Sequence, residues 1–161
     1  MNRLRLALTV LLILPLVIIA AYVFVFQSTP SGSVTPPQYT RFEVDGKTYA
    51  LTYIAANETE RAKGLMDKRV TNTTTELFIF PTFDYYPFWM YHVNSSLDIM
   101  WLNVTGSVGR VVYMVQSVPG CSVQLLCVNY QPTAKANMVL EAKGGFARSN
   151  SIVVGSEIIF E

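Results

Sequence analysis

Two acidic residues stand in otherwise apolar sequence and are the first candidates for chemistry. Asp98 lies inside the run 97–102, whose other members are all apolar, and Glu141 stands near the end of a second such run. A buried carboxylate is unfavourable unless it is paired or hydrogen-bonded, so each should have partners. For Asp98 the candidates are Arg61, Arg110 and backbone amides. Asp98 is then either a structural acceptor that fixes a turn or a group that faces a ligand in a cleft.

Asp98 and Glu141 together suggest one kind of enzyme. A glycosidase requires two carboxyl groups a few ångströms apart, which act as acid and base. Spacing in the sequence gives no such distance, so two hypotheses remain. The leading one is a non-catalytic module of the cell envelope that binds a ligand or a partner protein. The alternative is a hydrolase of envelope carbohydrate that uses both carboxyl groups.

The histidine and the cysteines give little support for a metal centre or a catalytic triad. A blue-copper site needs two histidines, and His92 is the only one in the chain. A zinc site built from His92, Cys121 and Cys127 would use unusual ligand spacing. Ser95 and Ser96 lie too close to His92 in sequence for a convincing triad. We therefore predict no metal and no cofactor, and we keep His92 as a ligand-binding candidate.

Aromatic residues crowd the segment 83–91. Their rings either form a stacking platform for sugars or fill the core, where aromatic side chains bury the most area. Tyr85 and Tyr86 precede Pro87 and a predicted strand, so we expect their rings to be the exposed ones. The complete set of candidate ligand-binding residues is Asp98, Glu141, Arg61, His92, Tyr85, Tyr86 and Trp89.

A β-rich scaffold is predicted to position these side chains. Asp45-Gly46 between alternating runs is a strong hairpin signal, and we predict a second hairpin whose turn is 94–96. Asn57 with Glu60 predicts the capped start of a short helix that ends at Gly64. Further strands are predicted at 76–80, 108–118, 137–142 and 157–160. About eight short strands and one short helix indicate an all-β sandwich.

Several short motifs resemble one family, known as domain of unknown function 192. They are E-R-x-x-G-L-M at 60–66, F-W-M at 88–90, L-D-I at 97–99, C-x-x-Y at 127–130 and V-L-E at 139–141. The resemblance extends over about residues 39–161 and implies a jelly-roll-like β-sandwich. In the family an Asn is expected at the place of His92, so His92 is not a general base shared by the family. A basic residue is expected two places after Met66, where this chain has Lys68.

The N-terminus predicts a membrane anchor. Leu6 to Phe26 is almost entirely apolar and as a helix would span roughly 30 Å, the thickness of a bilayer core. Arg3 and Arg5 precede it, which places the N-terminus in the cytoplasm and the following domain outside. We therefore predict a signal anchor at 1–26, a linker rich in Pro, Ser and Thr at 27–38, and an extracytoplasmic β-sandwich domain at 39–161.

Two further features agree with a location outside the cell membrane. Acceptor sequences for N-glycosylation occur at Asn72, Asn94, Asn103 and Asn57, of which Asn57 is the weakest because it is the predicted helix cap. The second feature is the cysteine pair, which we expect to form a disulfide between Cys121 and Cys127, with a free thiol pair or a metal site as alternatives.

The net charge argues against nucleic acid as a partner. Residues 39–161 carry ten of the twelve Lys and Arg residues and all eleven Asp and Glu residues. The folded part is therefore close to neutral and lacks the concentrated basic surface that phosphate binding requires.

Overall fold

A computed structural model describes residues 38–161, which form ten strands and two short helices. The predicted anchor and nearly all of the predicted linker lie outside these residues. Within the described part, no helix is long and apolar enough to cross a bilayer. The strands are β1 Arg41–Val44, β2 Lys47–Ala50, β3 Tyr53–Ala55, β4 Thr75–Asp84, β5 Phe88–Trp89, β6 Leu97–Thr105, β7 Val108–Val118, β8 Asn129–Tyr130, β9 Ala136–Lys143 and β10 Glu157–Phe160, and the helices are α1 Glu58–Lys63 and α2 Phe146–Ser149.

Eight strands form one curled sheet, in the order β2-β1-β10-β7-β6-β9-β4-β3. Neighbouring strands run antiparallel except for β3 and β4, which are parallel. The other two strands, β5 and β8, form a separate antiparallel ribbon. The prediction of a mostly β fold is confirmed. Residues 38–161 contain two short helices where one was predicted for this domain, because α2 follows Gly144-Gly145 without a recognisable polar cap.

The first hairpin and the first helix follow their sequence signals. Asp45 and Gly46 both have positive φ, at 51° and 70°, in the two-residue turn between β1 and β2. Asn57 caps α1 by accepting a hydrogen bond from the Glu60 backbone N–H, and the Glu60 carboxylate accepts one from the Asn57 N–H. Gly64 ends the helix with φ 47°. Local turn and cap chemistry therefore fixes both elements.

The predicted central hairpin around the turn 94–96 is wrong. β5 pairs with β8, and β6 pairs with β7 on one side and β9 on the other. Since both edges of β6 are occupied, no edge remains for β5. His92 has φ 55°, which ends the extended segment before the expected turn. Both segments form strands as predicted, but β5 pairs with β8, and β6 pairs with β7 and β9, instead of with each other.

The central strand β6 is covered on both sides. Ile99 and Trp101 point to one face of the sheet, and Met100 and Leu102 point to the other; all four are 0% exposed. We call these the Trp101 face and the Met100 face. Leu65, just after α1, packs on the Trp101 face, and Ala147 of α2 packs on the Met100 face.

Gly120 lies close to the backbone of Val93, and a substitution can test this contact. A Cβ atom at this position would lie 1.9 Å from the carbonyl oxygen of Val93, so the backbone would have to move. We expect Gly120→Ala to lower the free energy of unfolding by about 2 kcal/mol, as for other overpacked sites. Urea denaturation followed by tryptophan fluorescence measures this. The exposed Ser122→Ala is the control and should change it by less than about 0.5 kcal/mol; equal values for both variants would contradict the close approach.

Candidate functional site

Asp98 is a structural acceptor. Its side chain is 0% exposed and accepts three backbone N–H groups. Oδ1 accepts from Ser117 at 2.7 Å and from Gly145 at 3.2 Å, and Oδ2 accepts from Ala147 at 2.7 Å. These bonds tie β6 to β7 and to the start of α2. Of the partners considered from the sequence, backbone amides are therefore the ones present.

The two proposed arginine partners lie elsewhere. The Arg61 guanidinium donates to the carbonyl groups of Ala56 at 2.7 Å and Ile79 at 3.0 Å. Arg110 pairs with Glu157 at 2.7 Å on the surface. Neither guanidinium is needed to neutralise Asp98, because hydrogen bonds to the charged form stabilise a buried carboxylate directly.

Asp98 and Glu141 do not converge on one pocket, which removes the pair on which the hydrolase hypothesis depended. Asp98 lies opposite Ala142 of β9, and Glu141 lies opposite Ile99 of β6. Successive side chains of a strand alternate between faces. Asp98 therefore projects to the Met100 face and Glu141 to the Trp101 face, with the sheet between them.

Glu141 instead meets another acid, Glu76. The two residues are direct cross-strand partners on β9 and β4, so their side chains lie on the same face of the sheet. Glu141 is 4% exposed and Glu76 is 2% exposed. Like charges directly opposite each other in a buried site repel strongly, so the pair must be compensated.

Lys68 compensates Glu76 in part. Its Nζ lies 3.3 Å from Oε1 of Glu76 and 3.8 Å from the centre of the Tyr53 ring. The second carboxylate oxygen, Oε2 of Glu76, is buried and accepts no hydrogen bond from residues 38–161. Leaving a buried acceptor unsatisfied destabilises a fold by about 1–3 kcal/mol. This oxygen is thus an open acceptor inside the domain.

The environment favours the protonated form of this acidic pair. The pKa of Glu141 is raised to about 8, first by burial and then by the nearby charge of Glu76, while the Lys68 ammonium opposes both effects. Burial also raises the pKa of Glu76, against the opposing effect of Lys68. At neutral pH Glu141 is therefore mostly a neutral carboxylic acid, which can donate as well as accept a hydrogen bond.

A small cavity of about 30 Å³ borders Glu141. Three of the sequence motifs contribute residues to its wall. They are the motif 60–66, which includes part of α1 and the residues after it, the motif 88–90, and the motif 139–141, which contributes Glu141 near the end of β9. Its lining includes Arg61, Gly64, Leu65, Met66, Phe88, Trp89, Tyr91 and Val93. A larger, open groove of about 600 Å³ lies between 92–96 and 119–122, and Val93 lines both. The small cavity and the open groove therefore adjoin each other at Val93.

The remaining candidate residues divide between these two features. Arg61 and Trp89 line the small cavity with Glu141, and Trp89 is 39% exposed beside the Tyr91 ring. His92 lines the open groove, where its Nδ1 lies 3.2 Å from Oδ1 of Asp67. The sequence motifs thus brought three of the candidates to one place.

Tyr85 and Tyr86 line neither feature. Tyr85 is 45% exposed, as expected, and Lys135 Nζ lies 5.6 Å from its ring centre. Tyr86 is only partly exposed, which corrects the expectation: its ring stacks on Phe80 at 3.6 Å and its hydroxyl donates to the Thr82 carbonyl. Its backbone carbonyl also accepts from the Trp101 indole at 2.8 Å. Tyr86 is a half-buried residue that packs against the core.

The predicted disulfide is present, and the acceptor asparagines lie at the surface. Cys121 and Cys127 form a disulfide with a Cα–Cα distance of 5.6 Å. The four asparagines of the glycosylation sequences, Asn57, Asn72, Asn94 and Asn103, are all exposed. Asn57 uses its side-chain oxygen as the cap of α1, so it is the least free of the four.

Metal ligands are sparse in the part of the chain from 38 to 161. No group of three or more His, Cys, Asp or Glu side chains there is arranged to hold an ion.

Glu76 and the role of Lys68 were missed from the sequence. Glu76 opens the apolar run 76–80 in the same way as Asp98 interrupts its own run, and that was the available signal. Its position opposite Glu141 depends on the pairing of β4 with β9, which are separated by more than fifty residues in sequence. Strand order of this kind is not encoded in local periodicity.

Comparisons with known proteins identify a family and a fold. Residues 40–160 match the family DUF192, described as Uncharacterized ACR. No curated protein matches the chain. A protein of unknown function from Novosphingobium aromaticivorans DSM 12444 is similar, with 22% identity and a TM-score of 0.62 over 78% of this chain and 88% of its own. A putative transcription regulator from Sinorhizobium meliloti 1021 has 19% identity and a TM-score of 0.59 over 77% of this chain and 96% of its own. At this identity the two structures show a shared fold.

The structural role of Asp98 can be tested with Asp98→Asn. The amide retains one acceptor oxygen and turns an NH₂ group towards backbone N–H donors, so we expect a loss of about 3 kcal/mol in the free energy of unfolding. Urea denaturation at pH 7 measures it. The control is Asp45→Asn, in an exposed turn where Asn tolerates positive φ. Equal stability of the two variants would argue against the three-bond role of Asp98.

The acidic pair predicts that stability falls with rising pH. The pKa of Glu141 is about 8 in the folded chain and about 4.5 without its environment. Between these values the unfolded chain has lost a proton that the folded chain keeps, so the free energy of unfolding decreases by up to about 1.4 kcal/mol per pH unit. This contribution becomes constant above about pH 8.

Urea midpoints between pH 5 and pH 9 measure this dependence. Glu141→Gln should reduce the slope in that window and raise stability at pH 9, because the amide stays neutral in both states. The exposed Glu58→Gln should leave the slope as it is in the wild type. A wild-type slope that persists in Glu141→Gln would show that the acidic pair is not its source.

Proposed function

The chain belongs to the family DUF192, and we propose that it is a membrane-anchored, extracytoplasmic domain of the cell envelope that binds a ligand or partner and carries out no reaction. The apolar segment from Leu6 to Phe26 is long enough to span a bilayer, and Arg3 and Arg5 before it favour a cytoplasmic N-terminus. The linker 27–38 would hold the domain outside the membrane.

The disulfide and the asparagines support the proposed location. Disulfides persist in oxidising compartments and are rare in the cytosol, so the Cys121–Cys127 bridge fits an exported domain. Asn72, Asn94 and Asn103 are exposed and their side chains have no capping role, which fits the proposal that they carry sugars.

A single observation supports the binding function most directly: the buried Oε2 of Glu76 has no hydrogen-bond donor among the described residues. Glu141 faces it across the strand pair, and the cavity beside Glu141 is lined by three motif segments. An unsatisfied acceptor that destabilises the fold is expected where a bound molecule supplies the missing donor. We therefore assign the ligand site to this cavity and the open groove beyond it.

The dimensions of the site define what can enter. A cavity of about 30 Å³ admits one small group, such as a hydroxyl or an ammonium, and no larger part of a molecule. The rest of the ligand would lie over Trp89 and Tyr91 and along the groove near His92. A hydroxyl-rich envelope molecule fits this combination, since its hydroxyls can donate to carboxyl groups and its apolar faces can stack on aromatic rings.

The same dimensions support binding over catalysis. Glu141 borders a cavity of about 30 Å³, in which a scissile bond and an attacking water would not both fit. Nucleic acid is not part of the proposal, because the charge of residues 39–161 is nearly balanced and a basic surface is what phosphate recognition requires.

Native mass spectrometry tests the proposal on the full-length protein released gently from its host membrane. We expect additional mass that survives gentle ionisation and is lost on denaturation. In Glu141→Leu we expect this mass to fall at least about tenfold in occupancy, while stability rises because an apolar side chain replaces a buried like-charged acid.

Asp45→Asn is the control and should keep the bound mass. A wild-type protein without bound mass, or a Glu141→Leu protein that keeps it, would contradict the assigned site. Absence of the protein from the membrane fraction would separately contradict the anchor.

A further inference from the structure

The loop closed by the disulfide exposes a cluster of aliphatic side chains. We call residues 121–128 the disulfide loop. Leu125 is 96% exposed and Leu126 is 77% exposed, in a 3₁₀ turn at the tip, and Val128 and Val123 beside them are 59% and 52% exposed. Single exposed aliphatic residues are ordinary, but four within six positions are a patch that marks an interaction surface.

The disulfide and the hydrogen bonds to residues 88–92 hold the loop in this exposed position. The disulfide joins its two ends, and the segment 88–92 holds it on both sides. On one side the Cys121 N–H donates to the Met90 carbonyl at 2.9 Å and the His92 N–H donates to the Cys121 carbonyl at 2.7 Å. On the other side β8 pairs with β5. The short ring of residues 121–127 therefore presents its tip outward and cannot fold it into the core.

The sequence on both sides of the loop carries no charge, and Asp67 and His92 are ionisable residues that line the groove bordered by Cys121 and Ser122, at the start of the loop. Between Arg110 and Lys135 the sequence has no Asp, Glu, Lys, Arg or His. Protein-binding loops usually carry polar and charged residues at their rim, whereas a surface that enters hydrocarbon must bring no charge with it. The composition of the loop is thus that of a segment suited to lipid.

We propose that the disulfide loop inserts its aliphatic tip into the outer surface of the bilayer that anchors the chain. This inference rests on the membrane anchor of the proposed function. The anchor raises the effective concentration of the loop at that surface to the millimolar range, so a weak apolar contact is sufficient.

The chain is long enough for this contact. Tyr39, near the start of the described residues, donates to the carbonyl of Gly106, which lies in the turn between β6 and β7. The disulfide loop follows the opposite end of β7, a strand of 11 residues and therefore roughly 36 Å away. The linker 27–38 reaches about 37 Å when extended. Both the linker and the loop can therefore meet the same bilayer.

Depth-dependent quenching tests the proposal on the full-length chain. Leu125→Trp places an indole at the tip, and the protein is reconstituted into phosphatidylcholine vesicles with or without brominated acyl chains. We expect bromine to quench the added fluorescence by at least about half. Val153→Trp is the matched control, an equally apolar and 61% exposed site away from the loop, and it should not be quenched.

A second variant tests whether the quenching depends on the aliphatic side chains of the loop or only on the loop being close to the bilayer. Adding Val123→Ser and Leu126→Ser to Leu125→Trp should lower the docked-to-undocked ratio about tenfold or more and so remove most of the quenching. If the indole of Leu125→Trp is not quenched in protein that floats with the vesicles, the proposal is overturned. If the emission wavelength of that unquenched indole also shifts with the number of protein chains per vesicle, a second copy of the chain covers the loop instead of lipid. Protein that fails to float with the vesicles overturns the anchor itself, and the loop proposal with it.

Discussion

Three backbone N–H groups converge on the carboxylate of Asp98, and the rest of the sheet depends on this arrangement. β6 is a central strand that pairs on both edges and is buried on both faces. A charge in such a strand is tolerated only if its hydrogen bonds are complete. The donors from Ser117, Gly145 and Ala147 complete them, and in doing so they fix where β7 ends and where α2 begins.

The buried acids on the other face of the same sheet have fewer hydrogen-bond partners than Asp98. Glu76 and Glu141 face each other at burial similar to that of Asp98, but only Lys68 offsets them and one carboxylate oxygen is left open. The same sheet therefore contains one buried carboxylate with three hydrogen-bond donors and another, that of Glu76, with an unsatisfied oxygen. Apolar residues of similar size would be more stable in such positions, and the incomplete pair is therefore the feature on which the proposed ligand binding rests.

The sequence was informative where local chemistry decides the outcome and uninformative where distant strands meet. The Asp45-Gly46 turn, the Asn57 cap, the end of β7 before Pro119 and the bounds of β10 all follow from short-range rules. The central hairpin failed because β6 found its partners at greater sequence distance. The sequence named Glu141, Arg61 and Trp89 as separate candidates, and the fold brings them to one cavity. Glu76 was overlooked, since only the register of β4 on β9 places it there.

One short segment links the proposed ligand site to the proposed membrane contact. Phe88, Trp89, Tyr91 and Val93 line the cavity and its opening. The same segment pairs with β8 and forms the bridge between Tyr91 and Cys121, so it also carries the disulfide loop. His92, with its positive φ, turns the chain between these two contacts. A ligand in the cavity and a bilayer at the loop would therefore both contact this one segment, and a movement of the segment would affect both sites.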